Sequence, residues 1–394
     1  MEKTKQSLGQ EVIQLLKDNV KSYMMYIALV AIMLFFQIWS GGKFFRASNI
    51  SNLFNQAAYV AILAIGMTLI LIIRHIDLSV GYVAGFCGAV AAILMQTRGI
   101  NQWLAILVVI CLGLLIGLYQ GTVVIRVGVP AFVTTLAGMF IFRGLLSLSL
   151  AKTGTIVVTQ PGFLALCNGF IPDIVKDSEI HILTMILGVL AVFLMCYSRL
   201  KNRRSKLQYN FEVVSRPIFI IGLTAASIAI LVIFYELAVY KGLPWSSVIV
   251  GVILAVYTFM LNRTKLGRYI YGIGGNDLAA ELSGVDVKKV TQIAFLSMSA
   301  LAAMAGVMYT SRLSSATPTA GVGFELDAIA SSYIGGTAVS GGVGKCTNAI
   351  IGTFVIMSLT NGMNLMMVDI SYQYIVKGII FIIAVAFDVR TRGK

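Results

Sequence analysis

Few side chains in this 394-residue sequence could act chemically on a substrate. No Ser or Cys stands with a His and an acid in a nucleophile pattern, and the two histidines, His75 and His181, are too few and too scattered to hold a metal. Five cysteines (Cys87, Cys111, Cys167, Cys196 and Cys346) show neither ligand spacing nor an even number to pair, and read as reduced thiols. The run GGVGK at 341–345 has the ending of a phosphate-binding loop, but the earlier glycine that loop needs is Val339, and Cys346 follows in place of Ser or Thr. The chain therefore binds no nucleotide by that motif, and an enzyme is not indicated.

What remains is binding and movement, and one polar interval stands out for it: 267–290, GRYIYGIGGNDLAAELSGVDVKKV. Asn276 or Asp277 can cap a helix N-terminus, Asp277 and Glu281 sit in its early turns, and Gly284 is placed to end it in a left-handed conformation. That spacing predicts about two turns of helix. An isolated helix needs roughly 12 to 15 residues to persist in water, so something outside the segment must hold this one. Two readings follow: a docking element for a cytosolic partner, or an ordinary amphipathic loop between two membrane helices.

The elements that position this interval follow from composition. With 58% hydrophobic and 12% charged residues, the chain lies far outside the range of soluble domains and reads as an integral membrane protein. Twelve apolar stretches occur at roughly 23–40, 51–73, 78–96, 102–125, 130–150, 181–198, 217–239, 245–261, 290–311, 325–340, 346–366 and 371–388. Most reach the roughly 20 residues that cross about 30 Å of hydrocarbon, and the tenth, rich in Ser and Gly, fits least well. The expected fold is all-α and polytopic, with about 12 transmembrane helices. A net charge of +14 would suggest nucleic acid in a soluble chain. With the N-terminus inside, however, 21 of the 30 Lys and Arg fall in inward segments and seven in outward loops. The positive-inside rule thus places both termini in the cytosol and accounts for the charge with no nucleic acid. Residues 1–22, carrying Lys3, Lys5, Lys17 and Lys21, read as a cytosolic segment without a cleavable signal, and 23–394 as one transmembrane domain. The heaviest basic loop, 198–217, reads first as a topology anchor.

Polar and small residues inside the apolar stretches are the candidates for a path or for packing. In IDLSVG (76–81), Asp77 or Ser79 can cap the third span, and Gly81 with Gly85 permits close helix contact. Pro130 opens PAFVTTLAGMFIFRG (130–144), whose Thr134 and Thr135 can bond back to the helix or face a path. The segment 324–344, FELDAIASSYIGGTAVSGGVG, is too polar to face lipid on every side, which makes Ser331, Ser332 and Thr337 path candidates. Asn361, near Asn364, joins them, because an amide in lipid is costly without a partner. Gly113, Gly117 and Gly121 recur every fourth residue and form a groove for a neighbouring helix, with Ala302 and Gly306 a weaker version. Two cations fall within spans: Lys377 is placed to snorkel, and Arg143 to pair with Glu236, Asp327 or Asp369 at the outer ends. No period of roughly 20 to 50 residues marks a repeat array, which leaves an inverted pseudo-repeat open.

The segment LAAELSG (278–284) is similar to the EAA loop of ATP-binding cassette importer permeases, in which paired alanines precede a glycine by a fixed three-residue gap. Ala279, Ala280 and Gly284 match, and Leu278 stands where the loop's glutamate would be. The monosaccharide branch of that family carries an upstream Asn and a closing Ser-Gly, which Asn276, Ser283 and Gly284 fit. The four patches above agree, so the resemblance covers nearly the whole chain apart from an inserted helix pair at about 181–239, placed before a cytosolic coupling loop at about 262–289. This longer form resembles the xylose and multiple-monosaccharide permeases. The resemblance implies a membrane subunit that carries a pentose or hexose, such as xylose or galactose, across the bacterial inner membrane. Its implied partners are a second copy of itself, a cytosolic ATPase that binds the ATP, and an external sugar-binding protein. Asn276, Ala279, Ala280, Ser283 and Gly284 would lie in a groove of the ATPase, and this chain would need no cofactor of its own. The alternative is a self-sufficient secondary transporter. Such a protein would place a carboxylate or histidine at mid-membrane, whereas the acids here read as span-end residues.

Overall fold

A computed structural model describes residues 20–175, 178–211, 213–338 and 340–392. The expected N-terminal segment 1–22 lies outside the described residues except for its last three. Every apolar stretch is helical over at least half of its length, as backbone groups deprived of water require. In chain order the helices are α1 (Val20–Trp39), α2 (Ala47–Ile72), α3 (Val80–Gln96), α4 (Gln102–Thr122), α5 (Ala131–Leu150) and the short α6 (Pro161–Asn168). They continue with α7 (Ile182–Gln208), α8 (Arg216–Tyr240), α9 (Trp245–Arg263), α10 (Lys265–Gly275), α11 (Asp277–Leu282), α12 (Val287–Leu313), α13 (Phe324–Ile334), α14 (Cys346–Leu365) and α15 (Ile370–Arg392). Eight of these are long and apolar enough to cross a membrane, while α1, α3 and α15 carry shorter apolar runs.

The tenth apolar stretch differs from the expectation. Its helix, α13, holds 11 residues, about 16 Å at 1.5 Å per residue and so about half of a hydrocarbon core. Irregular chain follows, with Gly336, Gly341 and Gly342 at positive φ. The composition that weakened the span reading, Ser and Gly in place of Leu and Ile, is what lets this chain leave the helix and stay buried among protein.

The apolar window of helix α2 is wholly buried, as a helix that is apolar on all sides must be. It crosses α12 antiparallel: Gly66 faces Met298 and Leu301, and Tyr59 packs on Tyr309 with ring centroids 5.1 Å apart. About this pair the chain repeats itself in the same order of elements but in inverted orientation. The run α2–α5 has helices of 26, 17, 21 and 20 residues, and α12–α15 has helices of 27, 11, 20 and 23. Helix α12 packs against α3 and α4, and in the same manner α2 packs against α13 and α14. Helix α3 runs alongside α12, with Gly88 against Thr310, while α13 runs alongside α2, with Phe324 against Tyr59 and Ser332 against Ala64. The sequence offset that carries the start of α2 to the start of α12 also carries Gly66 to Gly306 and Gly81 to Gly321. This is the inverted repeat that the sequence left open.

A two-residue antiparallel pairing, Ile156↔Ala316 and Val157↔Ser315, ties the connection after α5 to the one after α12. Helices α7 and α8 form a hairpin at the edge of the bundle and are almost unburied along their apolar windows.

Candidate functional site

Helices α10 and α11 build the polar interval at the end of the bundle where α9 finishes. Thr264 caps α10 by accepting from Gly267 N, and α10 buries Ile270 and Ile273 while leaving its other face to solvent. Asn276, in extended conformation, then breaks the helix and caps the next: its Oδ1 accepts from Ala279 N at 3.0 Å. Asn276 therefore takes the cap that the sequence left open between it and Asp277. Ser283 Oγ donates to Ala279 O at 2.7 Å, and Gly284 ends the helix at φ +84°. Of Asn276, Ala279, Ala280, Ser283 and Gly284, only Ala280 is buried. Leu278 and Leu282, one turn apart on one face of α11, are 64% and 81% exposed. A six-residue helix thus presents two bare leucines to solvent.

Arg74, two residues past α2, links α11 to the rest of the fold. Its Nε donates to Gly274 O (2.9 Å) and Ser340 O (3.0 Å), its Nη2 donates to Gly275 O, and its Nη1 lies 3.9 Å from Asp277. Gly342 N donates to Ile72 O and Tyr271 Oη to Gly344 O, both within 3 Å. The end of α2, the α10–α11 segment and the glycine-rich chain trailing α13 are thus one hydrogen-bonded latch. Sequence reasoning passed over Arg74 because a lone cation at a span end reads as a topology signal.

The second candidate region is the start of α13. Gly323 turns the chain at φ +78°, and Phe324 sits between Tyr59 (4.7 Å) and Tyr309 (4.8 Å). Tyr59 lies midway along α2, so α13 begins level with the middle of that helix, with Glu325 and Asp327 buried in its first turn where the helix dipole favours negative charge. This corrects the sequence reading of these acids as span-end residues. Asp327 also does not pair with Arg143: both of its oxygens accept from Lys377 Nζ at 3.0 Å, while Arg143 lies over the Tyr82 ring at 5.7 Å. Lys377 is consequently held in a half-buried ion pair instead of reaching to the surface.

The path candidates fall in three places. Ser331 and Ser332 lie in α13 and Thr337 just after it; Thr68 donates to Ser332 Oγ, which in turn donates to Ala64 O, whereas Ser331 Oγ and Thr337 Oγ1 are buried without a hydrogen-bond partner. Thr134 and Thr135 lie across the bundle, where Thr135 donates to Ile76 O and Thr134 Oγ1 is unpartnered. Beside them Asp77 Oδ1 accepts from both Ser79 N and Ser79 Oγ, and Gln120 donates to Ser79 Oγ, a buried network of which the sequence showed only the first two members. Asn361 lies near the opposite end of α2, in a reciprocal amide pair with Asn49 (2.9 and 3.1 Å). Gly113, Gly117 and Gly121 line the face of α4 that meets Ala303, Phe295 and Gln292 of α12. Among the described residues no group of three His, Cys, Asp or Glu could hold a metal ion.

Residues 49–385 match the family model described as branched-chain amino acid transport system / permease component. The chain is similar to the xylose transport system permease protein XylH of Haemophilus influenzae, 36% identical over 95% of this chain and 98% of that one. It is likewise similar to XylH of Escherichia coli K12 (38%, over 95% and 93%) and to the ribose import permease protein RbsC of the same strain (32%, over 92% of each). No solved structure matches.

Proposed function

This chain belongs to the branched-chain amino acid transport system / permease component family, and we propose that it is the membrane-spanning subunit of an ATP-driven monosaccharide importer. The observation that carries the reading is α11: capped by Asn276, closed by Gly284 and presenting Leu278 and Leu282 to solvent, it is shaped to be gripped by a cytosolic ATPase. In this scheme the chain crosses the inner membrane of a bacterium twelve times with both termini in the cytosol, and works as a pair of copies. An external binding protein delivers a pentose or hexose such as xylose, landing on the side that carries 152–180. The ATP stays on the partner, and the hairpin α7–α8 is an insertion that preserves the inward position of α11.

Closure of the ATPase would pull α11. The Arg74 latch would pass that pull to the end of α2 and to the chain trailing α13, so the half-helix rocks at mid-depth and access alternates. Ser331, Thr337 and Thr134, with buried unpartnered hydroxyls, are the path residues that would meet sugar or water on opening. Asn361 and Ser332 serve packing.

A secondary transporter remains the second reading, and one observation favours it: Glu325 and Asp327 supply the mid-depth acids that the sequence did not place there. Sealed vesicles decide between the two. Sugar uptake that requires the ATPase, the binding protein and ATP supports the importer, whereas uptake by this chain alone on an ion gradient overturns it.

A further inference from the structure

The end of α7 forms a second basic surface, separate from the coupling segment. Helix α7 has 27 residues, but its apolar part ends at 198; the last ten residues continue as helix beyond it. Within 198–217 lie six cations and a single acid, Glu212. Arg199, Lys201, Arg204, Lys206 and Arg216 are exposed, and their spacing along α7 distributes the charge around the helix instead of along one face. Arg203 is used internally: its Nη1 donates to Val214 O at 2.7 Å and its guanidinium lies 4.7 Å from the Phe219 ring, which fixes the turn of the hairpin.

Position then selects the partner. The principal helical neighbour of α7 is α8, at the rim of the bundle. Both helices expose apolar side chains along their length, among them Val189 and Phe193 on α7 and Ile221 and Ile228 on α8. A hairpin of this kind borders lipid, so its basic end emerges among headgroups. There Leu200, Leu207, Tyr209 and Phe211 are also exposed, interleaved with the cations. Apolar and aromatic groups mixed with Lys and Arg at such a boundary suit an interface of acyl chain and phosphate. The positive-inside rule explains the sign of this charge, but neither its continuation along a helix nor its aromatic companions.

We propose that the basic end of α7, with Arg216 at the start of α8, binds the headgroups of anionic phospholipids. Guanidinium and ammonium groups donate to the phosphodiester, and the interleaved leucines and aromatics seat the upper acyl chain.

The test titrates the purified full chain in detergent with phosphatidylglycerol or with phosphatidylcholine of the same acyl chains, counting bound lipid by native mass spectrometry. Phosphatidylglycerol should be preferred about fivefold or more. The preference should collapse in R199Q/K201Q/R204Q/K206Q, and survive in R199K/R204K and in K43Q/R46Q at the opposite end. Equal binding of the two lipids by the unaltered chain would overturn the proposal without any variant. So would a preference that persists in the glutamine variant, or one that inorganic phosphate competes away at the same concentration as the lipid. A glutamine variant that keeps its phosphatidylglycerol but loses a co-purifying ATPase would make the surface a protein contact and equally overturn it.

Discussion

Gly81 and Gly321 block each other reciprocally: a Cβ on either would run into the carbonyl oxygen of the other. They are equivalent positions of the two inverted halves, and they meet where the first turn of α3 crosses the chain leading into α13. Because the obstacle on each side is backbone, no side-chain rotation relieves it. Gly321 also has φ +89°, which an L-residue adopts at a cost of about 1–2 kcal/mol even in open space.

Alanine at Gly321 should therefore lower the unfolding temperature in detergent, with a loss of about 2–4 kcal/mol from overpacking and backbone strain combined. Alanine at Gly144, where nothing lies within 4 Å of the added carbon, should leave it unchanged. Thermal unfolding of the two purified variants beside the unaltered chain checks this. Equal stability would mean that the two backbones yield at this crossing.

Gly284 offers the opposite case. Nothing lies within 4 Å of a Cβ there, so a substitution is opposed only by φ +84°. Gly284→Asn, which tolerates that region, should retain the partner ATPase on co-purification. Gly284→Val should lose it, because a β-branched residue abandons the left-handed turn and α11 loses its end. Both variants should insert normally. Undiminished recovery of the ATPase with valine would count against α11 as the docking helix.

Arg74 donates to three carbonyls on two segments, a fork that a lysine cannot reproduce. Arg74→Lys should keep insertion and ATPase binding yet lower sugar uptake about tenfold or more, a loss of at least ~1.4 kcal/mol in the coupled step. Hydrolysis should continue, so the ratio of ATP hydrolysed to sugar moved is the quantity to measure. A proportional fall in both would show that Arg74 supports the ATPase contact itself and not the transmission.

Lys377 and Asp327 form a half-buried ion pair where α15 meets the first turn of α13. Removing one member strands the other, so Lys377→Met alone should cost about 3–5 kcal/mol, while the double variant Lys377→Met, Asp327→Asn should recover most of that loss. Yield of monodisperse protein and unfolding temperature report both. Additive losses would deny the pair.

The helices, the terminating glycine of α11 and the packing face of α4 were legible because each is a local pattern: an apolar run, a cap with its stop, a four-residue spacing of glycines. What the sequence hid is what depends on depth. Glu325 and Asp327 read as span-end acids because a window of hydropathy cannot tell a helix that starts at the surface from one that starts halfway, after the chain has returned inward past Gly321. The partnership of Lys377 with Asp327 needed α15 to lie against α13, and the Arg74 latch needed the end of α2 beside the loop after α13. Gln120 was hidden in an apolar run. The inverted repeat left no residue period to find, since opposite directions preserve helix lengths and a few glycines but little else.

At the opposite end of the fold, Asp173 holds the start of α7: its carboxylate accepts from Ile182 N (2.8 Å) and Leu183 N (2.9 Å), and His181 Nδ1 lies 3.6 Å away. Burial alone would raise its pKa, but the N–H groups of Leu183, Ile182 and Ile174 outweigh that and, with His181, hold it below the ordinary carboxylate value. A carboxyl depressed in the folded state contributes stability that is complete above its unfolded pKa, about 3.9, and disappears as pH falls through the lower folded value. The clasp should therefore hold unchanged from neutral pH down to about 4 and open only in stronger acid. In Asp173→Asn it should be open at neutral pH, with no further change on acidification. Protease cleavage of the 169–182 connection across pH measures this, and opening between pH 7 and 5 would count against Asp173 as the group that holds the clasp.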